Sequence, residues 1–122
     1  MSESSLPELF SRDLPHAVRQ ALFGGTGAVR VWALVAAPAA PFTAVLACEL
    51  EPGASVGAHV QEHDPELVVA ISGAGQVTVN GVVRGFRAGQ VVELPQGQTL
   101  AIDNSAADAP LRYLIIKARA SA

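Results

Sequence analysis

Apolar residues in this chain gather in short blocks. The stretches 29–35, 42–50, 67–71, 76–79, 90–94, 99–102 and 111–117 are rich in β-branched or alternating apolar residues, and each has the length of a strand. Turn formers separate them: Pro38 and Pro41, Pro52-Gly53, Asp64-Pro65, Gly73 to Gly75, Asn80-Gly81, Ala88-Gly89, Pro95 to Gly97, and the polar run 103–110. Short strands at this spacing predict an all-β sandwich or barrel. Asn80-Gly81 is the strongest hairpin signal, because both residues tolerate the positive φ of a type I′ turn. The N-terminal part reads differently. Leu14, Val18 and Leu22 recur every fourth position between Pro15 and Gly24-Gly25, which predicts one short amphipathic helix carrying His16 on its surface.

Two strands are apolar on both faces, Leu67 to Ile71 and Tyr113 to Ile116. A half-solvated antiparallel strand should alternate, so something must cover the second face. The N-terminal helix or a second copy of the chain is able to do so, and the pattern favours a homodimer.

The 122 residues suit one domain, and with 50% apolar residues the chain can bury a core. The net charge of −3 provides no basic stripe for a phosphate backbone, so nucleic acid is not an expected partner. No run is apolar enough to span a bilayer and the first residues lack a signal-peptide pattern, which predicts a cytoplasmic protein with no membrane partner. The single cysteine, Cys48, sits among Leu46, Ala47 and Leu50 and reads as a buried strand thiol. Gly24-Gly25-Thr26-Gly27 lacks the lysine of a phosphate loop, and no Gly-x-Ser-x-Gly elbow occurs.

Candidate chemistry concentrates between residues 59 and 66. His59 and Gln61 lie two apart on one strand and share a face. Glu66 opens an apolar strand after Asp64-Pro65, and a buried carboxylate needs a partner. A histidine or a metal would serve. With neither, its pKa should rise and fit it for general acid or base work. His63 shares the face of His59 only if the strand stays regular; beside Glu62 and Asp64 it otherwise reads as a solvated turn residue. Leu100 and Ile102 share a face as an apolar wall. Trp32, Phe42, Phe86 and Tyr113 are further wall or core, and Arg84 and Arg112 read as surface residues.

Two spaced patterns bind these residues together: Gly53, His59, Gln61, Glu66, Gly73, and then Gly89, Pro95, Gly97, Leu100, Asn104. In spacing they resemble the two motifs of the cupin family. The resemblance implies a double-stranded β-helix, or jelly-roll barrel, over residues 29–118, preceded by an N-terminal arm and helix (1–28) and followed by a loose tail (119–122). Metal-binding cupins carry two histidines and a glutamate in the first motif and a third histidine in the second; here Gln61 and Leu100 stand at two of those places. The remaining donors for a divalent transition metal (Zn, Fe, Mn or Ni) are His59, Gln61, His63 and Glu66. The family further implies a small-molecule ligand in the barrel, walled by Leu100, Ile102 and Tyr113. If the protein is an enzyme, it implies isomerase, decarboxylase or dioxygenase chemistry with His59 and Glu66 as catalytic residues. A non-catalytic ligand-binding or dimeric scaffold module is the alternative.

Overall fold

In the computed structural model, which describes residues 8–105 and 107–120, ten strands form two antiparallel sheets. The strands are β1 (Ala17–Gln20), β2 (Ala28–Ala33), β3 (Phe42–Leu50), β4 (Ser55–Val60), β5 (Glu66–Ser72), β6 (Ala74–Val79), β7 (Val82–Arg87), β8 (Val91–Leu94), β9 (Thr99–Asp103) and β10 (Leu111–Ala118). One sheet has the order β1-β2-β3-β10-β5-β8, and the other has the order β4-β9-β6-β7. Their inner faces meet over Cys48, Leu50, Val68, Leu94, Ile102 and Tyr113, all buried. The Asn80-Gly81 turn joins β6 to β7 with φ of 49° and 80°, the left-handed pair that a type I′ hairpin requires. Asn104 closes one end of the barrel. Its Nδ2 donates toward the carbonyls of Leu50, Glu51 and Ala109 at 3.1, 3.2 and 2.9 Å, so it ties the end of β3 to the segment leading into β10.

The predicted N-terminal helix is absent. Residues 17–20 instead form β1, pairing Val18 with Arg30 on the edge of β2, and a single 3-10 turn follows at Leu22–Gly24. So short a segment between Pro15 and Gly24 cannot sustain an isolated helix, while the free edge of β2 offers a full ladder of backbone partners. Val18 is 46% exposed, so its spacing from Leu14 and Leu22 never created a buried helical face. No helix among the described residues is long and apolar enough to cross a membrane.

The cover expected for the sheet's second face comes in part from residues 8–16. Trp32, Ala47 and Glu49 are buried on the outer side of β2 and β3. Phe10 meets the Trp32 ring edge-on at 5.9 Å, His16 lies against it at 4.9 Å, and the indole Nε1 donates to the Ser11 carbonyl at 2.6 Å. His16 is thus a packing residue, corrected from the surface position on a helix. Its Nδ1 donates to the Leu14 carbonyl at 2.9 Å, and Nε2 accepts from Arg30 at 3.0 Å. Glu49 receives Arg12 at 2.8 Å and Arg112 at 2.7 Å, and Arg112 also lies over the Phe10 ring. Arg112, expected to be simply solvated, is therefore half of a buried carboxylate's compensation. Farther along the same face Phe42, Leu67, Ile71 and Val91 remain exposed. Of the expected loose tail, Arg119 donates its backbone N–H to the Pro41 carbonyl at 2.6 Å; residues 121–122, like residues 1–7 of the expected arm, lie outside the described residues.

Candidate functional site

A cavity of about 100 Å³ lies at one end of the barrel, and its wall includes Val56, His59, Glu66, Leu100, Ile102 and Tyr113. Strand register explains how residues distant in sequence arrive there. Leu100 pairs with His59 and Ile102 with Val56. Lys117 pairs with Glu66, and Tyr113 with Cys48. Residues 56 and 59 would point to opposite faces of a regular strand, yet both line the cavity. A bulge between Val56 and His59 resets the alternation and turns the imidazole inward.

Gly57, inside that bulge, also seats the mouth. The Phe23 carbonyl oxygen would lie 1.9 Å from a Cβ at position 57, and Ser55 O would lie 2.1 Å from one at Gly25, so both glycines are required for the loop 21–25 to rest on β4. Ala21 and Phe23 take positive φ of 50° and 52°, a conformation that non-glycine residues adopt only at some cost. That backbone lays the Phe23 ring flat on the His59 imidazole, 4.1 Å between centroids and 14° between planes. The other side of His59 is fixed by its Nδ1, which donates to the Gly57 carbonyl at 2.9 Å. A carbonyl only accepts, so Nδ1 carries the hydrogen and Nε2 is the free nitrogen.

Beyond Phe23, His59 and Lys117 an outer hollow of about 470 Å³ opens, lined also by Gln61, Glu62, His63 and Asp64. Those three residues border both spaces and separate them. Of the residues singled out in the sequence, His59, Glu66, Leu100, Ile102 and Tyr113 meet at the inner cavity, whereas Gln61 and His63 line only the outer hollow. The His63 side chain is 89% exposed. Gln61 is buried, held by backbone hydrogen bonds to Gln98 and Gly97 at 2.9 and 2.7 Å. Of the four aromatics considered, Phe86 and Tyr113 belong to the core, Trp32 lies on the outer face and Phe42 is exposed. Sequence reasoning missed Phe23, Gly57 and Lys117.

Glu66 is the electrostatic centre. Both carboxylate oxygens are buried with no hydrogen-bond partner among the described residues, and the Lys117 ammonium stands 3.8 Å away, an ion pair too long for a hydrogen bond. Burial raises the Glu66 pKa above the ordinary range, and Lys117 only partly opposes this. A raised folded-state pKa means stability that is full below the unfolded pKa and lost as pH rises through the folded one. Glu66→Gln, which cannot ionise, is therefore expected to be more stable than wild type at alkaline pH. The difference should vanish below the ordinary glutamate range, about 4.3. Urea titrations across that interval check it; a constant difference would contradict the assignment.

Burial, helped by the charge of Glu66, pushes the Cys48 thiol up to about 12. The neighbouring Tyr113 phenol is likewise raised, first by burial. Cys48 should therefore resist aromatic disulfide reagents in the native protein and react fully once the chain is denatured. Rapid native labelling would mean the barrel opens readily at β3.

The donors at the cavity do not fit a resident transition metal. His59, Glu66 and the Cys48 thiol all border the cavity, but among the described residues no three His, Cys, Asp or Glu side chains converge as a transition-metal site requires. Leu100, buried and directly opposite His59, fills a third ligand's place with hydrocarbon. Lys117 already sets a positive charge beside Glu66, where it would repel another cation.

The profile of the family described as Cupin domain matches residues 46–117, more than half of the chain. Among solved structures, a predicted oxalate decarboxylase from Thermotoga maritima is similar at 24% identity, covering 93% of this chain and 100% of that one, with a TM-score of 0.84. A Cupin 2 conserved barrel domain protein from Salinispora arenicola is 25% identical over 98% of this chain and 92% of its own, with a TM-score of 0.72. The Cupin_2 domain of an XRE family transcriptional regulator from Enterobacter cloacae is 21% identical, covering 76% of this chain and 98% of that one, with a TM-score of 0.67. No curated protein sequence matches.

Proposed function

This chain belongs to the cupin domain family, and on that premise we propose that it binds a compact small molecule inside the barrel, at Glu66 and His59, without a resident metal. One observation carries this most directly: two buried carboxylate oxygens without hydrogen-bond partners face a cavity. An unsatisfied buried acceptor costs about 1–3 kcal/mol, and a ligand O–H or N–H relieves that cost. The largely apolar wall suits a ligand with a hydrocarbon side, and the free Nε2 of His59 supplies a second polar contact. Should the ligand react, these two side chains are the ones placed to take or give a proton.

Methyl-detected NMR with a panel of compact alcohols, ketones and hydroxyketones tests the proposal. Shifts confined to the methyls of Val56, Leu100, Ile102 and Ile115, and abolished in Leu100→Phe, are expected. Silence across the panel, or shifts that persist in the filled variant, would overturn it.

The exposed apolar strip supports a second element of function, self-association. Phe42 (49%), Leu67 (38%), Ile71 (38%) and Val91 (57%) lie exposed along the six-stranded sheet, the kind of surface that a second copy covers. A homodimer through this face predicts that Leu67→Glu yields a monomer in sedimentation velocity. A wild-type monomer at micromolar concentration would remove it.

A further inference from the structure

We infer that the Glu66–Lys117 pair is a receptor in its own right, specific for a compact neutral molecule in which a hydroxyl or N–H donor sits next to a carbonyl. The inference rests on the barrel interior being the ligand site and adds what that ligand must be. Strand register sets Lys117 directly across from Glu66. The two heads stand 3.8 Å apart, the carboxylate side chain 1% exposed and the ammonium side chain 35% exposed. The pair is neutral as a unit. A third charge brought against it would be left uncompensated in a buried space, which is expensive, so the favoured partner carries none.

Hydrogen bonding narrows the choice further. Glu66 offers two unused acceptor oxygens, and Lys117, with three donors and no acceptor, makes no hydrogen bond to it at this distance. A molecule with a donor beside an acceptor satisfies both heads and bridges the gap between them. Size sets the last limit. The cavity of about 100 Å³ is smaller than the ~150 Å³ space that accepts benzene. A handful of non-hydrogen atoms fills it, with any methyl group against Leu100 and Ile102. In this barrel Lys117 supplies the positive charge beside the buried glutamate, and Leu100 forms the wall next to His59 as its cross-strand neighbour.

The test uses tag-free full-length protein treated with chelator, and hydroxyacetone as the probe. Hydroxyacetone should bind at the Leu100 and Ile102 methyls, with 1-propanol and pyruvate each weaker by about tenfold or more, since one lacks the carbonyl and the other brings a charge. Lys117→Met and Glu66→Gln should each weaken hydroxyacetone by about tenfold to a hundredfold, while Lys117→Arg keeps part of the affinity. Thermal melts of each variant separate lost binding from lost folding. Two results would overturn the inference while leaving the ligand site standing: 1-propanol or pyruvate binding at these methyls as tightly as hydroxyacetone, or binding unchanged in Lys117→Met; binding that appears only on adding zinc would overturn it together with the metal-free reading of the site. Failure of every probe at these methyls would remove both the inference and the site.

Discussion

Replacing Trp32 with alanine is expected to lower unfolding stability by about 4 kcal/mol, in line with large aromatic truncations in well-packed surroundings. Trp32 is 1% exposed although it lies outside the barrel's inner core, because residues 8–16 fold over it. The substitution removes the ring that Phe10 and His16 pack against, at 5.9 and 4.9 Å, and the indole donor to Ser11 at 2.6 Å. The arm then loses its main anchor, and Glu49 loses the shelter in which Arg12 reaches it. In a chain of this size the melting temperature should fall by roughly 15 °C. Trp32→Phe, keeping much of the hydrophobic area and losing the donor, should fall between. Calorimetry of the three proteins decides; a loss under about 1 kcal/mol would mean that the arm does not cover Trp32 in solution.

The second large effect is expected at Gly57, and it bears on the site more than on the core. A methyl there meets the Phe23 carbonyl oxygen at 1.9 Å, so Gly57→Ala must push the loop 21–25 off β4. A cost of about 2 kcal/mol is expected from the overpacking. The more telling change is local: the His59 ring protons, shielded while Phe23 is stacked at 4.1 Å, should shift downfield in the variant. Gly85→Ala is the control, since a Cβ at that position meets nothing within 4 Å. Unchanged His59 resonances in Gly57→Ala would show that the stacking does not depend on that glycine.

Most of the barrel is written locally. Asn80-Gly81 dictates its own turn, and β-branched blocks between Pro and Gly punctuation leave few alternatives to strands. Glu66 was conspicuous for the same reason, a lone carboxylate at the head of an apolar strand. What local pattern could not deliver was register. His59 faces inward through a bulge that shifts alternation by one residue, and nothing in Gly57-Ala58 announces a bulge. Lys117 reaches Glu66 from some fifty positions away through the pairing of β10 with β5. One faint signal existed: Tyr113 and Ile115 line the cavity, and Lys117 continues their every-second-residue parity. The N-terminal segment misled for the opposite reason. Its fourfold apolar spacing was real, but the spare edge of β2 outcompeted a helix too short to stand alone.

Residues 8–16 dress the outer wall, and residues 21–25 close the opening; only the four-residue β1 lies between them. Clothing and door are therefore cut from one ribbon, stitched down at Trp32 on one side and at Gly57 on the other. Loosening the ribbon at either fastening would reach the Phe23 ring through its neighbour, because both fastenings lie within a few residues of it along the chain.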